Sequence, residues 1–373
     1  MRKFSMPMAA GVLALALVPA AAAAPALGAT ARGQAAATAT PREEVTTHSV
    51  SLAAQRATLA YWTRERMESA KPPPIIHKRL PARGRIIAAG KPGRAAGGAP
   101  GRPGDVTGDR PDSSSGPATV SRPDYPFPYS SFNVPAADYT QWPYEVNGKI
   151  FFVNNGGNYV CSGTSVASYH GAKLEDEVWT AGHCVGNTSL TDPGVWDSNA
   201  IFVPAYNGTA KVTDPFGKFV ATRLATVNTF FYNADISEDE GAMEVAANAS
   251  GQALGQAVGW DGFAWNYPSQ EAFTAFGYPA AAPYTGNLMI EDIASTAATD
   301  NWPGGAGQPL LGIGDPMTGG SSGGAWDIDW SRSSPGYIDG HNDYKFYSQP
   351  NAMYSPYQDS LSNRVRCFGA SSC

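Results

Sequence analysis

The chain has 373 residues, 43% hydrophobic and 11% aromatic, with a formal net charge of −6. Those proportions exclude a wholly unfolded chain and supply ample apolar material for a core. The charge is split: residues 1–122 hold 17 Lys/Arg against 7 Asp/Glu, and residues 123–373 hold 9 against 25. The boundary near residue 122 is therefore electrostatic as well as compositional.

Arg2 and Lys3 precede an apolar run from Met8 to Ala24. A charged start, a short apolar stretch and the small residues Ala29-Thr30-Ala31 predict a secretory signal peptide over residues 1–31. The run is too short for a membrane span, and no later run is long and apolar enough to be one. An exported protein with no membrane contact in its mature form is expected. Residues 32–124 read as a pro-region and linker. Val50, Leu52, Leu59, Tyr61, Trp62 and Met67 punctuate a polar background free of Gly and Pro, which predicts a helix over Glu43–Ala70. Lys71 to Arg122 is rich in Pro, Gly, Ala and Arg and predicts a disordered linker. Its basic run from Lys78 to Arg110 lacks interleaved aromatics, so contact with the acidic part of the chain is the expected role, not nucleic-acid binding.

The character changes at about Tyr125. Lys149–Val153 predicts a strand, Asn154-Asn-Gly-Gly157 a hairpin turn, and Tyr159–Val166 the return strand. Val178–Ala181 is a further strand and delivers His183. Short apolar runs bounded by Gly, Pro, Asn and Asp continue to the end with no sustained 3.6-residue period. Residues 125–373 therefore read as an all-β barrel or sandwich domain, long enough for two small barrels in tandem.

Two short stretches carry chemistry. His183 sits in Trp179-Thr-Ala-Gly-His-Cys184, and Ser322 in Met317-Thr-Gly-Gly-Ser-Ser-Gly-Gly-Ala325. A serine among glycines can be exposed on a sharp turn, and a histidine at a strand end can be a fixed general base. Gly320-Ser-Ser-Gly-Gly324 also fits the nucleophile elbow of α/β-hydrolases. That fold needs an acid and then a histidine after the serine, and only His341 follows, with no alternation of strands and helices around it. His48, His77 and His170 lack a comparable setting.

The two stretches resemble the signatures of the trypsin/chymotrypsin-like serine peptidases, nearest the bacterial secreted branch that includes the glutamyl endopeptidases. The resemblance spans about residues 145–373. It implies two tandem six-stranded antiparallel β-barrels, about 145–255 and 256–373, with the active site between them. It implies Ser322 as nucleophile, His183 as general base and then acid, and an aspartate between them in the chain. Asp239, opening Asp-Glu-Gly-Ala-Met-Glu-Val245, is the preferred candidate and Asp235 the alternative, with Glu238 and Glu240 read as solvated neighbours. The backbone N–H groups of Gly320 and Ser322 would form the oxyanion hole. Four cysteines suit an oxidising compartment and allow three pairings. The resemblance favours Cys161–Cys184, and Cys367–Cys373 would close a small terminal loop. Pro316 falls at the expected pocket floor beside Asp315. Met317 replaces a threonine, and His341 falls on the strand expected to wall the pocket, from which a preference for acidic residues is expected. Cysteines that many relatives carry near Glu291 and Asp315 are absent, which suggests one disulfide fewer. The expected protein is a secreted, monomeric serine endopeptidase, made as a zymogen and using no metal or organic cofactor. Its partners would be protein or peptide substrates and its own pro-region. The alternative is a catalytically silent domain of the same fold that binds protein or cell-surface ligands.

Overall fold

A computed structural model describes residues 44–73, 77–78, 92–97, 125–168 and 176–370. The expected signal peptide, most of the expected linker, His170 and Cys373, with its expected bond to Cys367, lie outside the described residues.

The chain opens with strand β1 (Val45–Ser49) and helices α1 (Leu52–Tyr61) and α2 (Arg64–Ser69). One helix over Glu43–Ala70 was the expectation. β-branched Val45, Thr46 and Thr47 favour the strand. Ser51 and Thr63 then divide the rest into two helices, because each accepts a backbone N–H as an N-cap, from Ala54 and Arg66. Two short strands follow, β2 (His77–Lys78) and β3 (Gly93–Ala95), within the stretch expected to be disordered.

Next come β4 (Tyr129–Asn133), β5 (Asn147–Asn154), β6 (Gly157–Val166), β7 (Glu177–Ala181), β8 (Ser198–Pro204) and β9 (Phe219–Val227). Helix α3 (Asn228–Asn233), β10 (Glu240–Val245) and α4 (Leu254–Val258) follow. The later strands are β11 (Gly262–Trp265), β12 (Ala272–Gly277), β13 (Ile290–Ser295), β14 (Ala298–Asp300) and β15 (Leu310–Gly314). They continue with β16 (Ala325–Ile328), β17 (Tyr337–His341), β18 (Lys345–Phe346) and β19 (Ala352–Ser355), and α5 (Ser360–Arg366) is the last element.

The domain is all-β, as expected. Six strands close on themselves in the order β9-β10-β7-β6-β5-β8, with β8 returning to β9. The expected hairpin joins β5 and β6, with Asn155 and Gly156 both at positive φ, the conformation a two-residue turn needs. The second half is a seven-stranded sheet, β3-β11-β17-β16-β12-β13-β4, beside a three-stranded sheet, β14-β15-β19. It departs from a single six-stranded antiparallel barrel: its strands form two sheets, β3 and β4 join from earlier in the chain, and β11 runs parallel to β17. Ile150, Phe202, Phe219 and Met243 pack inside the first barrel, and Phe273, Ile313, Trp326 and Met353 in the second half. Trp179 of β7 meets Phe263 of β11 edge to face at 4.8 Å, joining the two.

The N-terminal segment is part of this packing. β8 pairs with β9 only at Phe219 and Val220, and β1 takes the remainder of that edge, from Val45 opposite Val227 to Ser49 opposite Arg223. Trp62 is buried against Phe151 and donates its indole N–H to the Asn199 carbonyl at 2.5 Å. Met67 is buried in the same cluster. Backbone pairing and aromatic burial thus hold residues 44–73, with Glu44–Arg364 as an exposed ion pair. Trp62→Ala should cost ~3–5 kcal/mol of folding stability through the cavity it leaves, measurable by denaturant unfolding. A loss within ~0.5 kcal/mol would mean that the segment is not a structural part of the barrel.

Candidate active site

The turn Gly182–Cys184 follows β7 directly and carries His183, which is buried. A disulfide between Cys161 of β6 and Cys184 fixes that turn to the neighbouring strand. Asp239 stands at the head of β10, whose first residue, Glu240, lies opposite Ala181. One Asp239 oxygen accepts the backbone N–H of His183 at 2.7 Å, and the other lies 2.8 Å from His183 Nδ1. The carboxylate therefore grips the residue twice and fixes both ring orientation and tautomer. Gly182 is required for this approach, since a Cβ there would come within 2.8 Å of the same carboxylate.

Asp235, the alternative, is occupied elsewhere. It caps the short turn Ile236–Glu238 through the Ser237 N–H, accepts the Ser237 hydroxyl at 2.6 Å, and accepts the Ala306 N–H at 2.7 Å. Glu238 and Glu240 are buried, not solvated. Burial and neighbouring carboxylates push Glu238 up to about 9 and Glu240 well above the usual range. Glu240 accepts the Ser362 hydroxyl at 2.6 Å.

Ser322 is drawn to the same place by its backbone. Its carbonyl accepts the Ser162 N–H at 2.8 Å and lies 3.7 Å from Cys184 Sγ. The preceding loop is pinned by its carbonyls. Gly319 O accepts from both Ala280 N and Ala281 N, and Ser321 O from Gly324 N. Across a planar trans peptide, C=O and N–H point in opposite directions. The N–H groups of Gly320 and Ser322 are therefore turned away from those contacts, and neither is donated within the described residues. Gly320 has φ +101°, and a Cβ would meet Ala280 N and Tyr278 O at 2.9 Å, so only glycine suits this turn.

Pro316 is partly exposed, and Met317 is buried with its N–H on Asp315 Oδ1. His341, expected on a pocket wall, packs behind Asp239. It is fully buried, its Nε2 lies 3.0 Å from the Asp239 carbonyl oxygen, and its ring meets Trp179 edge-on. Burial pulls it down to about 4, so it is neutral and supports Asp239 from behind.

Two side chains nearby escaped the sequence reading. Lys345, buried, places Nζ 2.7 Å from Asp315 O and 2.9 Å from Pro350 O. Asp343 lies beside Asp239 and His183. Only the two-residue spacing from His341 could have pointed to Asp343, since alternate residues of an extended chain share a face.

Among solved structures, the chain is similar to the protease Anisep from Arthrobacter nicotinovorans, at 35% identity and a TM-score of 0.52, covering 61% of this chain and 96% of that one. It is also similar to the thermostable serine protease AL20 from an extremophilic microorganism, at 29% identity and a TM-score of 0.52, covering 64% of this chain and 100% of that one. No family model and no curated protein sequence matches the chain.

Proposed function

The chain belongs to the trypsin-like serine proteases, and we propose that it is an endopeptidase working through an acyl-enzyme on Ser322. The observation that carries this reading is the double grip of Asp239 on His183. With Nδ1–H held by Asp239, His183 Nε2 is free to act as base. Ser322 Oγ attacks the scissile carbonyl and passes its proton to Nε2. The oxyanion receives the Gly320 and Ser322 N–H groups. His183 then gives the proton to the leaving amine, and water repeats the sequence to release the acid. Export through residues 1–31 and a zymogen stage, with 32–124 as pro-region, belong to the same reading. Among the described residues no helix is long and apolar enough to cross a membrane. The test is a fluorophosphonate probe on the processed protein, followed by mass spectrometry of the labelled peptide. Label on Ser322 is expected. A folded protein that takes no label would favour the silent, ligand-binding alternative.

The proposed acidic preference moves from His341 to Lys345. An ammonium has three donors, and the Nζ contacts to Asp315 O and Pro350 O use two, which leaves one for a substrate carboxylate beside Pro316 and Met317. Burial lowers Lys345 to about 8, against the pull of Asp315 and Asp292. The lysine is charged below that pH and neutral above it, so preference for Glu over Gln before the scissile bond should fade as pH rises through about 8. At neutral pH the preference should be roughly tenfold, the worth of one charged hydrogen bond. A cleavage profile that Lys345→Met leaves unchanged would remove Lys345 from this role.

A further inference from the structure

Asp343 follows β17 by two residues, and its surroundings are unusual for a carboxylate. Asp343 Oδ1 is 3.6 Å from His183 Nδ1, against 2.8 Å for Asp239 Oδ2, and both carboxyl side chains are fully buried. The nearest ring nitrogen and carboxyl oxygens of the three residues all lie within 4.8 Å of one another. At 3.6 Å Asp343 is too far to compete with Asp239 for the Nδ1 proton.

Hydrogen-bond accounting fixes its charge. Counted as an ionised carboxylate, Asp343 has no donor for either oxygen among the described residues. A second buried negative charge beside Asp239 would stand unpaired and repelled. Counted as a carboxylic acid, it removes that repulsion, and the acceptor it faces is the equally buried Asp239 carboxylate, whose nearest oxygen lies within 4.8 Å. The groups facing it agree. Asp239 and Glu240 approach from β10 and His183 from its turn, while His341 and Tyr344 flank it on its own segment. Tyr344 is committed to Asp300 at 2.5 Å and His341 to the Asp239 carbonyl. Burial and the two acidic neighbours all drive the Asp343 proton affinity well above the usual carboxylate range.

We propose that Asp343 is a positioning residue of the site, a neutral carboxylic acid that donates its proton in a hydrogen bond to the Asp239 carboxylate and so sets how strongly Asp239 holds the His183 imidazolium. The proposal rests on the roles given above to Asp239 and His183. Asp239 then divides its charge among three donors: the His183 backbone N–H, the ring N–H and the Asp343 O–H. That keeps the carboxylate from becoming so basic that it traps the imidazolium after Ser322 has delivered its proton.

The sign of a pH shift tests this. The acid limb of kcat/KM for a peptide substrate reports the His183 titration in the free enzyme. Asp343→Leu removes the donor, leaves Asp239 more basic, and should move the acid limb up by about one unit. Asp343→Asn keeps an N–H donor and no charge, and its acid limb should stay at the wild-type position. A downward shift in Asp343→Asn would mean that a negative charge had been removed, and would overturn the proposal. An unmoved limb in Asp343→Leu, with activity merely reduced, would show a packing role only and overturn it too. Infrared difference spectra supply a readout that needs no catalysis. Wild type minus Asp343→Asn at neutral pH should contain the C=O stretch of a protonated carboxyl, and its absence overturns the proposal. Failure of Ser322 to label would instead overturn the catalytic reading, with the infrared band still deciding whether Asp343 holds the proton.

Discussion

Ser322→Ala and His183→Ala are each expected to reduce peptide hydrolysis by ~10⁴-fold or more, and the double variant hardly further. The reasoning lies in how the site divides its labour. A serine hydroxyl is a poor nucleophile until a base takes its proton, so the imidazole without the hydroxyl has nothing to activate. The hydroxyl without the imidazole stays protonated. What survives either loss is the oxyanion hole and substrate binding, and these survive the double change equally. The Gly320 loop should outlast both substitutions, because its carbonyls are pinned by Ala280, Ala281 and Gly324 and not by the reacting groups. Active-site titration alongside steady-state rates makes the comparison. A double variant far below either single one would mean that the two residues act independently, which the proposed mechanism forbids.

Asp239→Asn is expected to cost ~10⁴ in turnover, the loss known for this change in a chymotrypsin-type triad, while Asp235→Asn leaves the rate nearly untouched. An asparagine amide can present an N–H toward Nδ1, which favours the tautomer with its proton on Nε2, where the base must be empty. The Asp239 geometry makes the residue sensitive to this, since both its oxygens are committed to His183. Asp235 carries a different burden. It holds Ser237 and the Ala306 N–H, so its substitution should show in thermal stability by about 1 kcal/mol or more and not in kcat. Rates and melting curves for both variants decide the matter. The reverse pattern would transfer the orienting role to Asp235.

The sequence was most legible where chemistry and local geometry fall within a few residues. The His183 turn and the Ser322 loop are of that kind: each needs small neighbours for close approach, and those neighbours are adjacent in the chain. Asp235 and Asp239 were harder, because both are buried in one short stretch. A turn over Ile236–Glu238 decides between them, spending one carboxylate as its cap and carrying the other to the head of β10. The surroundings of His341 were hard to read for a related reason. On β17, Ile338 to His341 are all buried, so period two gives no inward and outward face to read. The strand was identifiable and the direction of its side chains was not. Lys345 left no local signal and Asp343 only its two-residue spacing from His341, since their partners, Asp315, Asp239 and His183, arrive from distant segments. At the N-terminus the apolar spacing suggested helix throughout, and capping by Ser51 and Thr63 prevailed over it.

The pairing of β1 with β9 has a bearing on how the chain acquires its fold. Val45 is made early, and its partner Val227 emerges only after most of the first barrel has been synthesised. β1, made before the rest of that barrel, is therefore among the last of its strands to be seated, at the end of a long loop whose closure is entropically slow. Until it arrives, half of the β9 edge and the seat for the Trp62 ring stand open to any extended chain that passes, another copy of this protein included. The N-terminal segment thus has the character of a built-in chaperone, covering an edge that would otherwise recruit the wrong strand.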